Sequence, residues 1–155
     1  MQRDAFDRLF LFQNLSTAQK EALRPLFLPV DCYGDTLLFR QGEPADYLYL
    51  VVSGEVLITY KPDDGPPITV ARVGEGGVVG WSAALGNRRY TSNAVCTVYT
   101  QMLRVRGEEL RRFCNQNPDT GILILDHLAM IIADRLRSTH EQVISILKQG
   151  MLDEG

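Results

Sequence analysis

Residues 78–95, VVGWSAALGNRRYTSNAV, place two adjacent arginines, Arg88 and Arg89, among the hydroxyls of Ser82, Thr91 and Ser92. Counting from Gly74, five of the chain's 13 glycines fall within 13 residues. Guanidinium groups, hydroxyls and closely approachable backbone amides are the groups that hold a small anion such as a phosphate. The same composition suits a tight turn between two strands, so the loop alone decides nothing. Its surroundings add weight. From residue 76 to residue 107 there is no Asp or Glu, while Arg88, Arg89, Arg104 and Arg106 all lie inside. A segment of net charge +4 within a chain of net charge −3 is a local positive field, and anions are its natural partners.

Catalysis has less to work with. His127 and His140 stand 13 residues apart, Ser53 and Ser82 sit in turns, and no Cys or His spacing suits a metal. Neither an enzyme nor a metal or other cofactor is expected. The cysteines, Cys32, Cys96 and Cys114, lie far apart with no CxxC pair. They read as free thiols of a reducing cytoplasm. No apolar run approaches the roughly 20 residues of a membrane-spanning helix. The opening MQRDAFDRLFLF carries the acidic Asp4 and lacks a small-residue cleavage site, so no signal peptide is expected either. A cytoplasmic protein without a membrane partner follows.

The elements that must position the loop can be read from periodicity. At 155 residues, with 45% hydrophobic and 23% charged residues, the chain suits one globular domain. Residues 1–28 read as helical: Phe6, Leu9, Phe10 and Gln13 share one side of a first short helix. Ser16 then caps a second, carrying Ala18, Ala22, Leu23 and Leu26, which Pro25 kinks or ends. From residue 28 to residue 106 the pattern alternates, with turns at Gly34-Asp35, Gly42-Glu43-Pro44 and Ser53-Gly54, as in an antiparallel sandwich or barrel. Tyr47, Tyr49 and Val51 alternate with Leu48, Leu50 and Val52, so that strand is apolar on both faces and belongs at a sheet's centre. KPDDGPP joins strands over 56–60 and 68–73, and two more are expected over 92–99 and 101–106.

Helix returns after Gly107: a short one over 107–118, stopped by Pro118, then a long one within 119–150. The long helix is expected from about 120 to 148, capped by Asp119 or Thr120 and ended by Gly150. Ile122, Leu125, Ala129, Ile132, Leu136, Thr139, Val143 and Ile146 recur along it at alternating spacings of three and four. That heptad seam predicts a parallel helix pair across a homodimer. A wide stripe packed on the chain's own barrel is the plainer alternative.

This order of elements, with GDTLLFRQGEPADYLYLVVSGEVLI at 34–58, resembles the cyclic-nucleotide-binding domains of the cAMP receptor protein/FNR regulator superfamily. The resemblance covers roughly residues 10–145. It implies a mainly β fold: a double-stranded β-helix, or jelly roll, with flanking helices and a long C-terminal dimerisation helix. The loop at 78–95 then corresponds to that family's phosphate-binding cassette. Gly80 matches the glycine before the cassette helix, and Arg88 or Arg89 matches the phosphate arginine. Thr91 is the first candidate for the hydroxyl that follows, Ser92 the second. Where the family has a glutamate for the ribose, this chain has Trp81 followed by Ser82. An indole can only donate, and losing a charged acceptor costs about 1.5–3 kcal/mol. Thr139 and His140 match the positions that reach the ligand's purine; a seam residue and a solvent-facing histidine are the plain readings of the same pair.

The resemblance therefore implies a stand-alone, dimeric sensor or regulatory module. It would bind a small anion, a cyclic nucleotide or a relative, at the 78–95 loop and signal through the C-terminal helix to an unknown protein partner. A degenerate scaffold that binds no nucleotide is the alternative. Seven residues follow Lys148, so a helix-turn-helix domain and direct DNA binding are not expected of this chain.

Overall fold

In the computed structural model, residues 2–86 and 88–154 are described, apart from the side chains of 2–4, 142, 143, 146 and 150–154. Helix α1 (Gln2–Arg8) and a 3-10 turn (Phe10–Phe12) open the chain. The expected first helix is thus broken at Leu9, whose extended backbone lets both Leu11 and Phe12 turn inward. Phe12 stacks on Phe6 with ring centroids 4.1 Å apart. Helix α2 (Thr17–Leu23) begins as the sequence predicts. Ser16 Oγ accepts from the Gln19 amide at 3.1 Å, and the Gln19 side chain accepts from the Ser16 amide at 2.8 Å. A 3-10 turn carrying Pro25 ends it.

Eight antiparallel strands follow: β1 (Leu28–Cys32), β2 (Thr36–Phe39), β3 (Tyr47–Ser53), β4 (Val56–Tyr60), β5 (Ile68–Val73), β6 (Val78–Val79), β7 (Asn93–Cys96) and β8 (Thr100–Arg106). They form two four-stranded sheets, ordered β1-β8-β3-β6 and β2-β7-β4-β5. The fold is a jelly roll, as expected. Strand β3 shows why both its faces are apolar. Tyr49 and Val51 pack inside the roll with Val56, Ile58 and Met102. Leu48 and Leu50 face outward, into a second core built with Phe6, Phe12, Leu23, Ile124 and Leu128 of the helical layer.

Helix α3 (Ser82–Leu85) is a single turn between β6 and β7; α4 (Gly107–Gln116) and α5 (Pro118–Glu154) close the chain. Two expectations about α5 are corrected. It starts at Pro118 rather than behind a cap at Asp119 or Thr120: proline suits the first helical position, where no amide donor is needed. It also runs through Gly150, because one interior glycine costs only about 1 kcal/mol and does not terminate a long helix. At 37 residues it is about 56 Å long.

The cysteine reading is corrected as well. Cys32 of β1 and Cys96 of β7 form a disulfide between the two sheets, their Cα atoms 6.4 Å apart. Both side chains point into the roll, so the fold brings together residues separated by 64 positions. Cys114 is free and buried, and burial pushes its thiol pKa up.

Candidate ligand cavity

The glycine-led loop takes its shape from the strands beneath it. Gly80 has φ +80°, and a Cβ there would lie 3.0 Å from the Tyr47 carbonyl oxygen and 3.1 Å from the Tyr90 ring. α3 follows and ends on Gly86, again at positive φ. Residues 88–90 then pair with the turn at 42–45: Tyr90 N donates to Glu43 O, Gly42 N to Tyr90 O, and Ala45 N to Arg88 O, all within 2.9 Å. This pairing turns Tyr90 inward. Its ring stacks on Phe39 at 3.7 Å, and its hydroxyl donates to Tyr47 O at 2.6 Å. Burial pushes the Tyr90 pKa up.

A cavity of about 370 Å³ opens over this loop, at the low end of the range for small-molecule sites. Its floor is sheet surface, with Phe39, Ile58 and Val70 among the lining residues. Gly80, Trp81 and Ser82 line one side; Thr91 and Ser92 line it after Tyr90. The remaining wall is α5, through Arg135, Leu136 and Thr139. Six of the predicted ligand residues, Gly80, Trp81, Ser82, Thr91, Ser92 and Thr139, are therefore brought together.

Three are not. Arg89 bridges Pro44 and donates to Gly42 O at 2.6 Å. Arg88 lines a separate cleft with Asp46, Arg106, Glu108 and Arg111. His140 is exposed and outside the cavity lining. Arg104 and Arg106, the rest of the positive segment, sit over the Tyr47 ring at 4.3 and 5.7 Å.

The cation that does line the cavity is Arg135, which the sequence reading passed over. Its guanidinium lies 4.6 Å from the centre of the Trp81 ring, a cation–π arrangement, and its Nη2 donates to Val78 O at 2.7 Å. Burial lowers its pKa, but an arginine stays protonated at neutral pH. Among the described residues no carboxylate forms an ion pair with it. Thr139, one helical turn later, donates its hydroxyl back to Arg135 O at 2.9 Å. The i, i+4 spacing from Thr139 was the available signal for Arg135. What it lacked was the tryptophan partner, which is distant in sequence.

α5 spends its other face on the core. Ile124, His127 and Leu128 are buried, and His127 Nδ1 lies 3.1 Å from Leu11 O; since a carbonyl only accepts, that nitrogen carries the proton. The predicted seam has mixed surroundings: Ile132 packs against the core, and Leu136 and Thr139 line the cavity. Ile122, Leu125, Ala129 and Leu136 are exposed, Ile132 and Thr139 half-buried. The side chains of Val143 and Ile146 lie outside the described residues. The plainer alternative, a stripe packed on the chain's own barrel, describes Ile124, Leu128, Ile131 and Ile132 but not the exposed Ile122, Leu125 and Ala129.

Fold and cavity together define a jelly-roll module with a cavity shared between a glycine-led loop and a long C-terminal helix. The chain belongs to the cyclic nucleotide-binding domain family, whose model matches residues 31–117. It is similar to the CRP-like cAMP-activated global transcriptional regulator of Mycobacterium tuberculosis, with 26% identity over 140 residues. That match covers 90% of this chain and 61% of the relative, so the chain spans less than two thirds of the relative's length. A cyclic nucleotide-binding domain from Methylobacillus flagellatus superposes with a TM-score of 0.81 at 21% identity, covering 92% of this chain and 80% of that one. The catabolite activator protein of Thermus thermophilus gives a TM-score of 0.73 at 25% identity, covering 88% and 62%. Among the described residues, no helix is long and apolar enough to cross a membrane, and no group of metal-binding side chains gathers.

Proposed function

We propose that this chain is a dimeric, ligand-responsive regulatory module and a binding protein rather than an enzyme. A small anion, a cyclic nucleotide or a molecule of related size, enters the cavity, and α5 carries the consequence to a partner protein. One observation carries this reading: a guanidinium without a carboxylate partner, Arg135, lines a cavity shared by the 80–92 loop and α5. A ligand that pairs with Arg135 competes for the contacts that tie α5 to Trp81 and Val78. Occupancy is thereby coupled to the helix. The cAMP named for the Mycobacterium tuberculosis relative supports a nucleotide as the first ligand to test.

Arg88 and Arg89 stand outside the lining, and we assign them to steering the anion toward the cavity. The exposed seam of α5, from Ile122 to Leu136, is assigned to a second copy of the chain, because the opposite face is already buried in the core. Transcriptional regulators among the relatives support a cytoplasmic setting; the Cys32–Cys96 disulfide removes the free-thiol argument for it.

Calorimetric titration with cyclic AMP and cyclic GMP, repeated on Arg135→Gln, tests the site. Heat that weakens at least tenfold in the variant supports the assignment. Nucleotide binding that is indifferent to Arg135 contradicts it.

A further inference from the structure

The cavity's chemistry is narrower than an anion site in general. Its single cation, Arg135, uses one of five N–H donors on Val78 O, leaving a planar fork of donors for a second acceptor. The groups around that fork are flat or apolar: Trp81 beneath the guanidinium, the stacked pair Phe39 and Tyr90, and aliphatic Ile58 and Val70. The polar remainder is hydroxyl. Among the described residues no Asp or Glu lines the space, and none occurs in the sequence between Glu75 and Glu108. A sugar hydroxyl would therefore find no carboxylate to donate to here, only neutral hydroxyls, and a neutral acceptor binds it less strongly than a charged one. Both loop arginines are turned elsewhere, Arg89 onto Gly42 O and Arg88 into the cleft with Glu108.

A ligand that satisfies this set carries one delocalised planar charge and little other polarity. A carboxylate matches the guanidinium fork in plane and in bond count. An attached ring buries its faces against aromatic and aliphatic walls. We propose that the cavity takes a planar aromatic monocarboxylate, with its carboxylate on Arg135 and its ring against Trp81, in preference to a cyclic nucleotide. The inference rests on the reading of this cavity as the module's ligand site and narrows its ligand class.

Trp81 is the chain's sole tryptophan, so its fluorescence reports on the cavity directly. The test titrates the full chain with benzoate, cinnamate and the neutral cinnamamide, alongside cyclic AMP, by calorimetry and by Trp81 emission. At least one carboxylate is expected to bind ten times more tightly than cinnamamide and than cyclic AMP. Arg135→Gln should abolish that advantage over the amide while circular dichroism shows the fold intact. Arg135→Lys, which keeps the charge but loses the fork, should recover only part of it. If cyclic AMP binds and no carboxylate does, the ligand class is overturned and the regulatory reading stands. If neither class gives heat or an emission change up to millimolar ligand, both fall. A carboxylate that binds no better than its amide overturns the role given to Arg135.

Discussion

The two halves of α5 differ in composition, the first mostly apolar and the second rich in charge, and they meet different surroundings. Through residue 131 the helix turns Thr120, Ile124, His127 and Leu128 into the core behind β3 and β8. Beyond it, Arg135 and Thr139 face the ligand cavity and Leu136, 60% exposed, stands beside them. The contrast lies in what each half meets: the near half packs into the helical core, and the far half lies over the cavity, where Arg135 reaches Val78 O and Trp81. The near half is held by the fold, and we propose that the far half, tied down through Arg135, responds to what the cavity holds. A sensor needs both, since a helix anchored throughout could not move and one anchored nowhere could not transmit.

That division can be broken in a definite order. Leu128→Ala, in the anchored half, should lower unfolding free energy by about 2–5 kcal/mol in urea denaturation. A loss of less than about 0.5 kcal/mol there would mean that this half is not the anchor. Leu125→Glu combined with Leu136→Glu should leave the fold intact and shift sedimentation from twice 17.4 kDa to 17.4 kDa. A wild-type monomer would remove the seam from the account. Leu136→Ala alone should change stability by no more than about 0.5 kcal/mol, as an exposed position does. Arg88→Gln with Arg89→Gln should have the smallest effect on the cavity: slower ligand association at low salt, vanishing as ionic strength rises, with dissociation unchanged. A dissociation rate that climbs instead would place one of those arginines on the bound anion.

Much of this was legible in the sequence wherever the cause was local. The strands over 56–60 and 68–73 and the Ser16 N-cap depend on neighbours a few positions away, and they appear as read. The two-sided strand at 47–53 was legible because its alternation is only one residue long. Gly80 to Ser82, Thr91 and Ser92 line one cavity, as a shared site would require, while Arg88 and Arg89 lie outside its lining. Composition does not say which way a side chain points once 88–90 pair with the 42–45 turn. Arg135 went unseen for a related reason: its i, i+4 spacing from Thr139 was the only mark within α5, and its partner Trp81 is distant in sequence.

The Cys32–Cys96 bond spans 64 residues and leaves no spacing signal at all. Alkylation of the denatured protein without reductant should label Cys114 alone, and all three cysteines after reduction. Labelling of all three without reductant would return the cysteines to free thiols.

The central claim, that ligand in the cavity is read by the far half of α5, is tested most directly by hydrogen exchange. The protein is compared free and saturated with cyclic AMP or cinnamate, whichever binds more tightly. The account predicts that exchange changes at 80–82 and at 132–141 together, with 118–131 unaltered. A change confined to 86–90, with α5 silent, would contradict it.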